Sequence, residues 1–270
     1  MVRVRGVVAA VAAVLAVSGC TVVLPGQAGT DPAVAPPAQH DLAGVLSAVG
    51  KLGSSHGATF SYEGSYPSGE HLTATGRLNR DNQGLRMACT VEQTYQGASL
   101  RTELVLQDHA VYVKPGESWS LPPDRPWVRE SYQSTDKLMG ELGPVVNAVY
   151  WGASAELARE SVFTQWTKLV GSSVEPVGTT PARKYLLDVD LRALAASPVQ
   201  GKAAFTRDTQ QMSRLVETLS FGAGDVPVRI GLDQYYDGIP PIKSSVTYRD
   251  WGTPVTVTVP ADSQLSPPPA

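Results

Sequence analysis

Few residues in this chain have the types and spacing that chemistry requires. Its 270 residues include four histidines, His40, His56, His71 and His109. They are scattered, with no i, i+4 pair and no HExxH, so a zinc site is not expected. Gly152-Ala153-Ser154-Ala155-Glu156 begins like a nucleophile elbow but lacks the second glycine, and Ser154 reads better as a helix cap. Asp188 and Asp190 flank Val189 on an alternating stretch, which places them on a solvated face rather than in an acid–base pair. Neither GxxxxGK nor GxGxxG occurs, and no motif asks for a cofactor. The expectation is a non-enzymatic protein.

The one sharp chemical feature is Cys20. Arg3 and Arg5 precede an apolar run from Val7 to Val17, too short to span a bilayer comfortably. The run ends Val17-Ser18-Gly19-Cys20, which resembles the bacterial lipobox. Such a match implies cleavage of residues 1–19 and diacylglycerol on the Cys20 sulfur, anchoring the chain on the extracytoplasmic face of the cell membrane. Two acyl chains anchor stably, at about 0.8 kcal/mol per buried methylene. The other cysteine, Cys89, alternates with Met87 and Val91 and reads as a buried thiol, not a nucleophile.

Residues 20–39 hold Gly26, Gly29, Pro32, Pro36 and Pro37 and read as a flexible tether. The leader takes Arg3 and Arg5 of the 22 basic residues and none of the 25 acidic ones, so the mature chain has a net charge of −5. No basic patch stands out, which argues against nucleic acid and against a polybasic grip on lipid.

Residues 40–261 read as one α+β domain. Leu42, Val45, Leu46, Val49 and Leu52 form one helix face, with Asp41 as N-cap. A strand near residues 58–66 carries Phe60 and Tyr62. Three alternating stretches then read as an antiparallel meander with one apolar face: Leu72, Ala74, Gly76 and Leu78; Leu85, Met87, Cys89 and Val91; Leu100, Leu104 and Leu106. Val111 to Val113 extends it. Trp119, Trp127 and Tyr132 fall on a proline-rich loop, where they either rim a pocket mouth or close the end of the core. Leu138, Met139, Leu142, Val145, Val146 and Val149 keep a helical period, which Gly143-Pro144 is expected to break into two short helices. A short helix is expected over 154–160, strands over 174–178 and 183–190, and a helical turn over 191–196. A capping-box-like start at Asp208 and Gln211 predicts a helix with Met212, Leu215, Val216 and Leu219 on its face. Strands near 226–235, 242–249 and 254–259 follow. Residues 262–270 read as a disordered, proline-rich tail.

Val226-Pro227-Val228-Arg229-Ile230-Gly231-Leu232-Asp233 and Tyr248-Arg249-Asp250-Trp251-Gly252-Thr253-Pro254-Val255 together resemble the closing strands of the LppX/LprG-like lipoproteins of actinobacteria. The resemblance spans most of residues 40–261 and is sharp only in this block. It implies a curved, half-open antiparallel sheet wrapped over helices, similar to bacterial lipoprotein carriers. It also implies an acylated lipid or glycolipid ligand held in an apolar cavity, transport of that lipid across the envelope, and a membrane transporter as candidate partner. Alternation, not the resemblance, supplies the candidate lining: Phe60, Leu72, Ala74, Gly76, Leu85, Met87, Cys89, Val91, Leu100, Leu104, Leu106, Leu138, Met139 and Leu142. Trp119, Trp127 and Tyr132 are the candidate mouth. The alternative is an envelope interaction or regulatory module with a filled core and no ligand.

Overall fold

The first helix, α1 (Leu42–Lys51), forms because Asp41 caps it: its Oδ1 accepts the Gly44 N–H at 2.9 Å. Val45, Ala48 and Val49 then share one buried face. The structure is a computed structural model and describes residues 37–51, 56–81, 84–107, 110–116, 119–132, 134, 136–154, 166–196 and 212–268. All of these lie in one compact unit, Ala35–Ala270. Cys20, the leader, most of the tether, all but Ser154 of the helix expected over 154–160, and the capping pair Asp208 and Gln211 fall outside the described residues.

Among the described residues, twelve strands make one open sheet. Six follow α1: β1 (His56–Ser65), β2 (His71–Asp81), β3 (Gly84–Tyr95), β4 (Ala98–Gln107), β5 (Ala110–Lys114) and β6 (Trp127–Ser131). After α2 (Lys137–Ala153) come β7 (Thr167–Val177), β8 (Thr180–Asp190), the short α3 (Leu191–Ala196), β9 (Met212–Phe221), β10 (Pro227–Tyr236), β11 (Ile242–Arg249) and β12 (Leu265–Ser266). The spatial order is β12-β6-β5-β4-β3-β2-β1-β11-β10-β9-β8-β7. Every pairing is antiparallel except β12 with β6. The expected meander is present as β2, β3 and β4, and the chain returns through β11 to pair with the free side of β1.

The register aligns apolar side chains in rows across the sheet. One row runs Tyr248, Phe60, Gly76, Cys89, Leu104, Val113 and Val128. Its neighbour runs Tyr185, Leu219, Ile230, Val246, Tyr62, Ala74 and Val91. These side chains form one buried cluster with Val45 and Val49 of α1 and Leu138, Leu142, Val145, Val146 and Val149 of α2. The opposite face carries Arg77, Glu92, Arg101 and Arg229, all exposed.

Four expectations are corrected. The predicted helix over Met212, Leu215, Val216 and Leu219 is strand β9. Leu215 and Leu219 also fit a strand in which Leu215, Glu217, Leu219 and Phe221 point to one face and Val216 to the other, and Glu217 hid that alternation. The gap between β8 and β10 decides the matter, because each needs a partner there. Gly143-Pro144 does not break α2. Pro144 cannot donate to the Gly140 carbonyl, but both residues are exposed, so water solvates that carbonyl while the opposite face keeps its packing. Pro254 to Val259 forms no strand, because β11 already has β1 and β10 on its two sides. The segment instead lies across Gly57, where an added Cβ would meet the Thr253 carbonyl and the Val255 side chain. Finally, the segment read as a disordered tail opens with a 3-10 turn, Asp262–Gln264, and β12, which covers the edge of β6. The Ser266 hydroxyl donates to the Arg125 carbonyl at 2.6 Å.

Candidate functional site

The described residues bearing on chemistry have structural partners. Asp188 binds Arg214 through two bonds, 2.7 and 2.9 Å, on the polar face. Asp190 instead caps α3, accepting the Ala193 N–H at 3.0 Å. The two carboxylates therefore do different jobs. Ser154 ends α2 as its C-cap. His40 pairs with Asp225 at 2.6 Å, and the Lys51 ammonium adds a second contact to that carboxylate at 3.3 Å. Among the described residues no group of three His, Cys, Asp or Glu side chains could hold a metal ion. Cys89 is buried in the apolar cluster, and burial pushes its thiol up to about 12, far from a reactive thiolate.

The apolar face is the larger feature. Phe60, Leu72, Ala74, Met87, Cys89, Val91, Leu104, Leu106, Leu138, Met139 and Leu142 are all buried, with Leu85 and Leu100 half-buried at the margin. Fold and register thus bring the strand residues onto one face of the sheet, in one buried cluster with Leu138 and Leu142 of α2. Gly76 belongs to the same row, but not as spare room. A Cβ there would meet the Ala88 carbonyl and stand 2.5 Å from the Cys89 Cβ, so any side chain at 76 would push β2 away from β3.

Helix α2 is seated closely. Gly152 lets it approach the Tyr62 ring, and the buried Tyr248 hydroxyl donates to the Ala153 carbonyl at 3.0 Å. At its other end Asp136 accepts the Met139 N–H at 2.8 Å, and the Ser134 hydroxyl donates to the second Asp136 oxygen at 2.7 Å. Glu130 adjoins this cap. Burial raises its pKa, helped by the hydrogen bond to Asp136, while Asp136 itself is lowered because hydrogen bonds from Met139 and Ser134 outweigh its own desolvation.

The three predicted mouth aromatics do not form a single rim. Trp119 packs against the core with the Lys137 ammonium 5.7 Å from its ring centre. Tyr132 meets Tyr150 of α2 edge to face at 5.4 Å. Trp127 stands on β6 opposite Leu265. Trp119 and Tyr132 pack against the core, whereas Trp127 alternates with the buried Val128 and lies on the other face of β6.

The polar groups of the apolar face lie elsewhere. At the end of the sheet formed by the β1–β2 and β10–β11 turns, Tyr62 shares hydrogen bonds with Tyr66 and Ser244. The Tyr236 hydroxyl donates to Gln234 at 3.1 Å. Burial lifts Tyr62, Tyr66 and Tyr236 above the ordinary phenol range, so all three stay neutral hydrogen-bonding groups. One strand register further on, Glu217 is fully buried between Leu187 and Leu232. Reading β9 as a helix hid Glu217. The tyrosines were visible in the alternation of β1, but only the return of β10 and β11 beside it assembles them with Ser244 and Gln234.

No family model matches the chain, and no curated protein does. Among solved structures the chain is similar to MucB, in the crystal structure of MucB in complex with MucA(peri), at 17% identity and a TM-score of 0.32. That match covers 84% of this chain and 59% of the MucB chain.

Proposed function

We propose that the protein is a lipid-anchored, non-enzymatic carrier of an acylated lipid or glycolipid, tethered through Cys20 to the extracytoplasmic face of the membrane. In this reading the sheet is curved and half-open, and its concave apolar face receives the acyl chains. The observation that carries it is the pair of apolar rows crossing the sheet with a cluster of neutral hydroxyls at one end. An amphiphile needs that arrangement: a long wall without charge, and hydrogen-bonding groups where its head group stops. The lipobox and the LppX/LprG-like closing block support the same reading. So does α2, whose buried face meets the sheet at its narrowest beside Gly152. Because the lining residues are buried, the ligand enters by parting α2 from the sheet. A membrane transporter would hand the lipid over.

The test uses the chain with Cys20→Ser, purified without detergent, extracted with organic solvent and read by mass spectrometry. Acyl lipid near one equivalent supports the carrier. An empty extract, together with no binding of an apolar fluorophore, rejects it. The second reading, an interaction module with a filled core, is favoured by one observation: the lining residues interlock in a single cluster with α1 and α2. The empty extract is its expected result.

A further inference from the structure

The opposite end of the sheet carries a cavity remote from the tyrosine cluster, which reaches the margin of the apolar face at Tyr248. It holds about 740 Å³ and is bounded by the β7–β8 turn, the β9–β10 turn and the end of β11. Val177, Val226, Pro227, Val228 and Trp251 supply its apolar wall, and Thr180, Thr247 and Arg249 line it with polar groups. Its size lies within the range of small-molecule sites, roughly 300–1,000 Å³. Val228 faces it because a bulge between Pro227 and Arg229 takes that residue out of the ladder with β9.

Two further observations mark this end as built. Asp225 and Asp250 have φ of 59° and 55°, two of only four non-glycine residues with left-handed backbone among those described. Each sits in a turn at the cavity's edge, where such strain collects at ligand sites. The charges are also unequal in their partners. Asp225 is paired with His40 and Lys51, and the Asp250 carboxylate accepts from the Thr59 hydroxyl at 3.0 Å. The Arg249 guanidinium, among the described residues, has neither a carboxylate nor a ring against it.

We infer that this cavity is a second ligand site, for a small amphiphilic anion whose carboxylate or phosphate meets Arg249 and whose apolar body lies against Val226, Val228 and Trp251. A guanidinium binds such oxyanions through two parallel bonds, and the threonine hydroxyls supply further donors. The inference does not depend on the carrier reading. Lipid extraction reports on the apolar face, and the cavity can bind whether that extract is full or empty.

Octanoate is the probe for the acid, octyl phosphate for the phosphate, and octyl glucoside for a neutral head of the same tail. Each is titrated calorimetrically, below its micelle concentration, into the full chain carrying Cys20→Ser. Saturable binding of either anion is expected. Arg249→Gln should weaken it at least about tenfold, since a charge-assisted hydrogen bond is lost. Thr180→Trp should fill the cavity and abolish it, while octyl glucoside, which lacks the anion, should bind more weakly than either anion and be unchanged by Arg249→Gln. Circular dichroism confirms that the variants fold, and Arg249→Gln alone decides if Thr180→Trp does not. Anion binding that Arg249→Gln leaves unchanged, or no binding of either anion, overturns the proposal.

Discussion

Replacing Gly152 with alanine tests how tightly α2 is seated on the sheet. A Cβ there would stand 2.9 Å from Cδ2 and 3.2 Å from Cζ of Tyr62, and closer still to Cε2, where ordinary contacts begin at 3.4 Å. The Tyr62 ring cannot swing aside freely, because it is buried and its hydroxyl is held by Tyr66 and Ser244. The helix must therefore lift, which also stretches the bond from the Tyr248 hydroxyl to the Ala153 carbonyl. Overpacking of this kind costs about 1–3 kcal/mol. Alanine's better helix propensity returns up to about 1 kcal/mol. The expected net loss is about 1–2 kcal/mol. Gly140→Ala is the internal control: it lies on the same helix, exposed, with nothing within 4 Å of the added Cβ, and should gain about 0.5–1 kcal/mol. Urea denaturation of both variants reads the difference, with equal m values showing that the unfolded state is unchanged. If Gly152→Ala proves as stable as Gly140→Ala, α2 is not held against Tyr62 as described. Under the carrier reading, lifting α2 also opens the apolar face, so Gly152→Ala should speed fluorophore uptake while lowering stability.

Other consequences are equally direct. Cys89, buried beneath the same face, should resist a thiol reagent in the native chain and react only as fast as α2 opens; immediate labelling would contradict its burial. Tyr248→Phe should cost about 1 kcal/mol, read as a shift in urea midpoint, because the Ala153 carbonyl loses its buried donor. Glu130 and Asp136 give a pH test. The raised Glu130 pKa means its contribution is complete below the ordinary carboxylate value and lost as pH rises through the folded value; the lowered Asp136 contributes in the opposite sense, losing stability as pH falls. Glu130→Gln keeps a donor beside Asp136 without the charge, so its urea midpoint should gain on the parent as pH rises above the ordinary carboxylate range. A gap that does not change with pH would show that the two carboxyls are uncoupled. Deleting residues 262–270 should strip β6 of its parallel partner and of the Ser266–Arg125 bond, lowering stability by about 1 kcal/mol and raising aggregation, measured by light scattering.

Much of this architecture is legible from local pattern. Alternation in residues 72–78, 85–91 and 100–106 fixes which side chains share a face, because the pleat sends successive residues to opposite sides whatever lies beyond. The helical period of Leu138 to Val149 survives Pro144 for a related reason: the proline falls on the exposed side. Where the pattern misled, the deciding partner lay far away in the chain. Leu215 and Leu219 fit a strand as well as a helix, and only the space between β8 and β10 chooses. Residues 254–259 alternate correctly yet find both edges of β11 occupied.

The sequence by itself determined the α+β class, the apolar face of the meander and the burial of Cys89, since each depends on neighbours within a few residues. Only the tertiary structure decided that Tyr62, Ser244 and Gln234 meet at one end of that face, that Glu217 lies within it, and that Arg249 stands at a cavity at the other end. Those groupings join residues as much as 182 positions apart, Tyr62 and Ser244 among them. They exist because β11 returns to pair with β1, a contact that no local period encodes.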